Sequence, residues 1–271
     1  MTLNESAKWL DILLQLERRP VGIKFLLTKE DYDAFNAPEN KNKMSYCTVV
    51  RRAGDGTSQK IHRGHSACLG GAVAVGLEKP NQDYISGKRR MDLGTYSNLG
   101  ICRNVSKNMV FCEHTTYGIA VMPLEAYETE PDVVIIITNP FNAMRIIQGY
   151  TYKNGHASNI KLSGMSAICQ ECTSLPYEEN QINISLLCSG TRMLAQWKKD
   201  EMAIGMPYRL YVDSIDGMIN TVNPLERNLE KQQISEKLIS ENLTDMLEVV
   251  FNKNYDDNSY KGGIAEIIDF D

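Results

Sequence analysis

Long apolar runs are scarce in this sequence. The longest aliphatic stretch, Val133 to Ile137, falls far short of the ~20 residues that a membrane-spanning helix needs. The amino-terminal residues Met-Thr-Leu-Asn-Glu-Ser lack a basic segment followed by an apolar one, so no leader is expected and the expected address is cytoplasmic. Positive charge is not in excess either. The 29 Lys and Arg residues stand against 34 Asp and Glu, for a net charge of −5, which removes long-range attraction to nucleic acid or an anionic membrane. Arg51-Arg52 and Arg89-Arg90 are left as local anion contacts. No Walker loop is found, and Gly70-Gly71 lacks both the third glycine and the acidic residue of a dinucleotide fingerprint, so neither ATP nor NAD is expected. The expected partner is a small anionic substrate or a redox partner protein, with a homo-oligomer left open.

What is present suffices for a full core: 271 residues with 42% hydrophobic content need neither disulfides nor metal merely to hold together. Seven cysteines (Cys47, Cys68, Cys102, Cys112, Cys169, Cys172 and Cys188) in a reducing compartment then point to metal binding, catalysis or plain burial. Only Cys169 and Cys172 have Cys-x-x-Cys spacing, and without a second copy that pair is a weak metal signal.

The periodicities predict an α/β or α+β fold, with a mixed sheet flanked by helices. Leu3, Trp9, Leu10, Leu13, Leu14 and Leu16 fall at helical spacing. Val21 to Leu27 reads as a strand, and Asp132 to Thr138 as a central strand buried on both faces. Asn139-Pro140 offers an N-cap and a first-turn proline for a helix stopped by Lys153-Asn154-Gly155.

Short matches recur in the two halves: Gly64-His65-Ser66-Ala67-Cys68 with Gly164-Met165-Ser166-Ala167-Ile168-Cys169, Ser86-Gly87-Lys88-Arg89 with Ser189-Gly190-Thr191-Arg192, and Gly118-Ile119-Ala120-Val121-Met122-Pro123 with Met202-Ala203-Ile204-Gly205-Met206-Pro207. They predict a duplicated body over residues 1–220, with copies at about 20–127 and 132–214. The first copy carries an insertion, roughly Asp92 to Thr115, that reads as a loop or lid. Residues 221–271 read as a C-terminal helix, Leu225 to Phe251, and an acidic tail.

Several separated motifs carry a family resemblance. They are Pro20-Val21, Cys47, Cys68-Leu69-Gly70-Gly71 leading to Val75-Gly76-Leu77, Pro131-Asp132-Val133-Val134 running to Asn139-Pro140-x-x-Ala143-Met144-Arg145, then Cys169, and Cys188-Ser189-Gly190-Thr191-Arg192. Over about residues 8 to 215 the chain resembles domain-of-unknown-function family 169. The resemblance implies no settled activity. It does imply that Cys47, Cys68, Cys169 and Cys188 are the family-type cysteines, with Cys102, Cys112 and Cys172 as additions of this chain.

The chemistry of these residues supports a metal centre. Four soft thiolates suit an iron-sulfur cluster or zinc, and single ligands scattered over both copies suit a cluster gripped between two lobes. Cys47, Cys68, Cys169 and Cys188 are therefore the expected ligands of a 4Fe-4S cluster, with zinc as the alternative, and Cys172, Cys102 or Cys112 could replace one of them. Arg145, Arg192 and Asn139 are the expected contacts of a small anionic substrate. The competing function classes are an iron-sulfur oxidoreductase, lyase or redox accessory, a zinc-binding or metal-free partner-binding module, and thiol catalysis by Cys68 with His65. His62 with His65, and Cys112-Glu113-His114, are further donor groups for which a surface or hydrogen-bonded role is the simpler expectation.

Overall fold

A computed structural model describes residues 1–221 and 227–244. The chain runs through helix α1 (Leu3–Leu14), strand β1 (Val21–Leu26), helices α2 (Lys29–Ala34) and α3 (Tyr46–Gly54), β2 (Gln59–His62) and α4 (Leu69–Ala74). Helices α5 (Gln82–Ile85), α6 (Lys88–Asp92) and α7 (Leu99–Asn108) precede β3 (Gly118–Pro123). The second half has β4 (Val133–Thr138), α8 (Pro140–Asn154), a π-helical segment (Ala167–Ser174), α9 (Leu175–Glu179), β5 (Asn183–Ser185), α10 (Ser189–Met193), β6 (Met202–Pro207) and α11 (Tyr208–Asn220), followed by α12 (Arg227–Ser240). No helix among the described residues is long and apolar enough to cross a membrane.

The fold is mixed α/β, with one six-stranded open sheet in the order β2-β3-β1-β4-β6-β5. Every strand pairing is antiparallel, which corrects the mixed sheet expected from the sequence. Among the described residues, parallel geometry is confined to the isolated bridges Glu39 to Lys60 and Met44 to Ser66. The aliphatic run of β4 reported burial on both faces, and that burial comes from helices covering both sides rather than from parallel pairing.

Alternate residues of β4 serve the two sides. Val134 and Ile136 pack under α1, α8, α11 and α12 with Leu10, Ile146, Tyr211 and Leu238. Val133, Ile135 and Ile137 pack under the opposite layer with Val49, Val50, Ile168, Cys169 and Cys172. The first layer has clear local causes. Thr2 and Glu5 form a capping box that starts α1. Asn139 accepts from Asn142 N at 2.9 Å and Pro140 opens α8, which stops at Gly155 with φ 69°.

Exchanging β1, β2 and β3 for β4, β5 and β6 returns the same strand order read from the other edge. That is the order a duplication about an axis between β1 and β4 would leave. The match of Gly118–Pro123 with Met202–Pro207 falls on equivalent strands, β3 and β6. The others do not. Residues 160–162 are irregular rather than extended, and the counterpart of β2 is β5. The 92–115 insertion is also no simple loop, because Asn98 caps α7, whose Cys102 and Ser106 are buried. Of the expected helix Leu225 to Phe251, α12 ends at Ser240 and the chain turns at 241–244, with Asn242 at φ 55°, whereas 225–226, 245–251 and the acidic tail lie outside the described residues.

Helices α8 and α11 cross at two glycines. A Cβ at Gly217 would stand 1.9 Å from Gly149 O, and one at Gly149 would stand 2.2 Å from Ser214 O. Gly217→Ala should therefore destabilise the protein by about 3 kcal/mol, the upper range for overpacking a core. Urea unfolding reads this directly, and an unchanged midpoint would contradict the crossing.

Candidate metal centre

In the layer opposite α8, four of the seven cysteines converge on one place. Cys47, Cys68, Cys169 and Cys188 all line one cavity of about 420 Å³, room for roughly a dozen waters. Cys102, Cys112 and Cys172 do not line it. Each of the four sits in the first turn of a helix or immediately before one. Cys47 is the second residue of α3, Cys68 and Cys188 are the N-cap positions of α4 and α10, and Cys169 is the third residue of the π-helical segment. Neither Cys68 nor Cys188 spends its side chain on a capping bond.

Topology assigns the equivalences. Cys47 and Cys169 precede the second strand of their halves, and Cys68 and Cys188 follow it. This pairing replaces the sequence match of Cys68 with Cys169.

The sulfurs are linked through shared neighbours. The Thr191 hydroxyl, completely buried, lies 3.3 Å from Cys188 Sγ and donates to Cys47 Sγ at 3.4 Å. A Cβ built on Gly71 would meet the Cβ atoms of Cys68 and Cys169, each at 3.9 Å. The triads of His, Cys, Asp and Glu donors that close within 4.8 Å among the described residues are Glu39/His62/His65 and Cys112/His114/Glu178, so no three of these four sulfurs come that close together. A single zinc with bonds of about 2.3 Å requires sulfurs about 3.8 Å apart. The cysteine set is wider than that.

Local backbone strain accompanies the set. Ser166 (φ 52°) precedes the π-helical segment and Leu187 (φ 75°) precedes Cys188, both in the left-handed region, which costs a non-glycine residue about 1 kcal/mol or more. Glu171 ties the cavity-mouth loop to the sheet edge, accepting from Ser163 N at 2.8 Å and from Ser185 Oγ at 2.5 Å.

The cavity also holds Arg90, a member of the Arg89-Arg90 pair that the sequence left as a local anion contact but did not place with the cysteines. Arg90 lines it at 3% exposure. Its Nε donates to Ser106 Oγ at 2.9 Å, its Nη groups meet the Met165 and Met109 thioethers, and its guanidinium lies 5.2 Å from the Tyr84 ring centre. Among the described residues no carboxylate pairs with it. A buried guanidinium left this way costs several kcal/mol, which an anion bound in the cavity would offset. Arg89 joins it at the wall but is exposed.

The substrate contacts expected from the sequence lie elsewhere. Arg145 points away from the sulfurs, because α8 covers the other face of the sheet, and it donates to Thr221 O at 2.6 Å and Met218 O at 3.3 Å. Asn139 is used as the cap of α8. Arg192 follows Cys188 by one turn but donates to the carbonyls of Lys198 and Leu186, outside the cavity lining. Nor is His65 paired with Cys68: its Nδ1 accepts from His62 N at 3.3 Å and its Nε2 faces Glu39.

Burial pushes the Cys47 thiol up to about 12 and the Cys169 thiol well above its ordinary value. The metal-free folded protein thus holds protons that the unfolded chain releases above pH 9.0, the unperturbed thiol value. Between there and about 12 the unfolded state binds fewer protons. Stability of the metal-free protein should fall as pH rises through this window, by about 1.4 kcal/mol per pH unit for each such thiol. Urea midpoints at pH 8, 9 and 10 measure it, and a midpoint that rises with pH would contradict the burial of these thiols.

With this geometry established, comparison with known proteins adds a family. The DUF169 family model, described as Uncharacterised ArCR, matches residues 10–217. An uncharacterized protein of Methanocaldococcus jannaschii, MJ0308, is 24% identical over 221 residues, covering 80% of this chain and 93% of that protein. No solved structure matches. The family match spans the whole sheet and all four cavity cysteines, and the chain belongs to the DUF169 family.

Proposed function

We propose that the protein holds a 4Fe-4S cluster on Cys47, Cys68, Cys169 and Cys188 and acts as an enzyme or redox accessory on a small anion. The observation that carries this reading is that these four cysteines, drawn from four separate helix starts, line one cavity. Their spacing favours a multi-iron group over a single ion, because no three of the sulfurs approach within 4.8 Å and a cubane carries its thiolates on separate irons. When bound on all four thiolates, such a cluster supplies one-electron transfer.

The chain's own residues have distinct parts in this reading. Thr191 donates to the Cys47 sulfur, and a hydrogen bond to a ligand sulfur is one of the levers that set cluster potential. Arg90 presents a desolvated cation to a carboxylate or phosphate. Leu93 and Leu194 belong to the cavity lining and are 56% and 72% exposed, which gives the entrance an apolar rim.

Anaerobic purification should yield brown protein with about four irons and four sulfides per chain. Replacing any of the four cysteines by serine should lower the iron content, whereas Cys102→Ala should keep it. Arg90→Gln should keep the iron and weaken binding of a small carboxylate or phosphate tenfold to a hundredfold, as loss of a charged hydrogen bond does. Colourless, iron-free protein after anaerobic reconstitution would end the reading.

A further inference from the structure

The two compact donor triads outside the cysteine cavity differ in one respect. In Glu39/His62/His65, His62 Nδ1 accepts from Gly64 N at 3.0 Å and His65 Nδ1 accepts from His62 N at 3.3 Å. An imidazole that accepts at Nδ1 carries its proton on Nε2. Both Nε2 atoms face Glu39 Oε1, at 3.3 and 3.6 Å, and no polar atom of the three side chains is buried without a partner. This triad is complete without an ion.

Cys112/His114/Glu178 is not. His114 Nδ1 lies 3.2 Å from Thr116 Oγ1, while Nε2 is buried with no hydrogen-bond partner. A buried polar atom in that condition costs about 1–3 kcal/mol. The Cys112 sulfur, a His114 ring nitrogen and a Glu178 oxygen lie within 4.8 Å of one another.

The surroundings fix each of the three side chains. The His114 ring sits edge-on to Phe25 and Tyr177, with ring centres 5.6 and 5.3 Å away. Glu178 Oε1 accepts from Glu113 N at 3.0 Å. Cys112 N donates to Ala74 O and Thr116 N to Gly76 O, both at 2.9 Å. Gly76 has φ +74° and a Cβ there would meet His114 O at 2.6 Å, so only glycine allows the two segments to lie this close.

We infer that Cys112, His114 and Glu178 form a zinc site separate from the four-cysteine cavity. Sulfur, imidazole and carboxylate donors are a set that zinc accepts, with a fourth position open to water. The Thr116 hydroxyl at Nδ1 provides the outer hydrogen bond that orients a ligating imidazole through Nε2. Binding replaces the Cys112 S–H proton, which is released to solvent. The ion joins the exit of α7 to α9 and so clamps one end of the α5–α7 wall that carries Arg90. It does not depend on a cluster being present.

The test is zinc uptake by the purified full-length protein, measured by metal analysis and by competition with a chromophoric chelator. Wild type should retain one zinc per chain. His114→Ala should weaken zinc binding more than a hundredfold, while His114→Cys, which restores a ligand at the same place, should recover most of it. Cys188→Ser should keep the zinc. Three results would overturn the inference: no zinc taken up by wild type, equal zinc affinity in wild type and His114→Ala, or zinc lost in Cys188→Ser and kept in His114→Ala. The last places the ion in the cysteine cavity.

Discussion

The two halves of the sheet meet at a short antiparallel contact between β1 and β4, and the position of every cavity cysteine depends on it. Only Val21, Gly22 and Ile23 pair with Ile135, Val134 and Val133. Beyond Ile23 the Asp132 side chain takes over from the ladder, accepting from Phe25 N and from Lys24 Nζ, both at 2.8 Å. Tyr127 closes over Gly22, where a Cβ would lie 2.5 Å from the ring. With the halves fixed in this way, equivalent connections arrive on the same face. The helix before β2 and the π-helical segment before β5 bring in Cys47 and Cys169, and the turns after those strands bring in Cys68 and Cys188.

Several of the costs that the fold carries fall around the cavity. Two thiols are held far above their ordinary titration range by burial, Ser166 and Leu187 take left-handed backbone, and Arg90 is buried without a carboxylate. Two other largely buried arginines are provided for. Arg145, equally buried, is met by carbonyls at the end of α11, and Arg18 pairs with Glu201 and Asp55. Strain and unsatisfied charge tend to persist where function requires them. The proposed multi-iron group with an anion beside it would account for the uncompensated cation and for the spacing of the sulfurs.

Much of this could be read from the sequence. The α1 periodicity, the β4 run, the Asn139-Pro140 start of α8 and the separation of four cysteines from the other three are all local or motif signals. What failed has a common cause. Period and capping say that a helix forms but not which face of the sheet it covers, so Arg145 was expected near the sulfurs and stands on the other side. A continuous aliphatic strand reports burial, not direction, so antiparallel pairing was missed. The match of Cys68 with Cys169 followed a Gly-x-Ser-Ala string, whereas the fold equates Cys68 with Cys188 through strand order. Arg90 was legible as half of a local anion contact, Arg89-Arg90, but not as a cavity residue, because only the packing of α6 against α7 buries it.

X-ray absorption at the iron edge, on protein loaded with iron and sulfide without oxygen, tests the central claim most directly. A single cluster on four thiolates gives iron surrounded by sulfur alone, with a short iron–iron vector. Iron bound through nitrogen and oxygen, or with no iron neighbour, would contradict it.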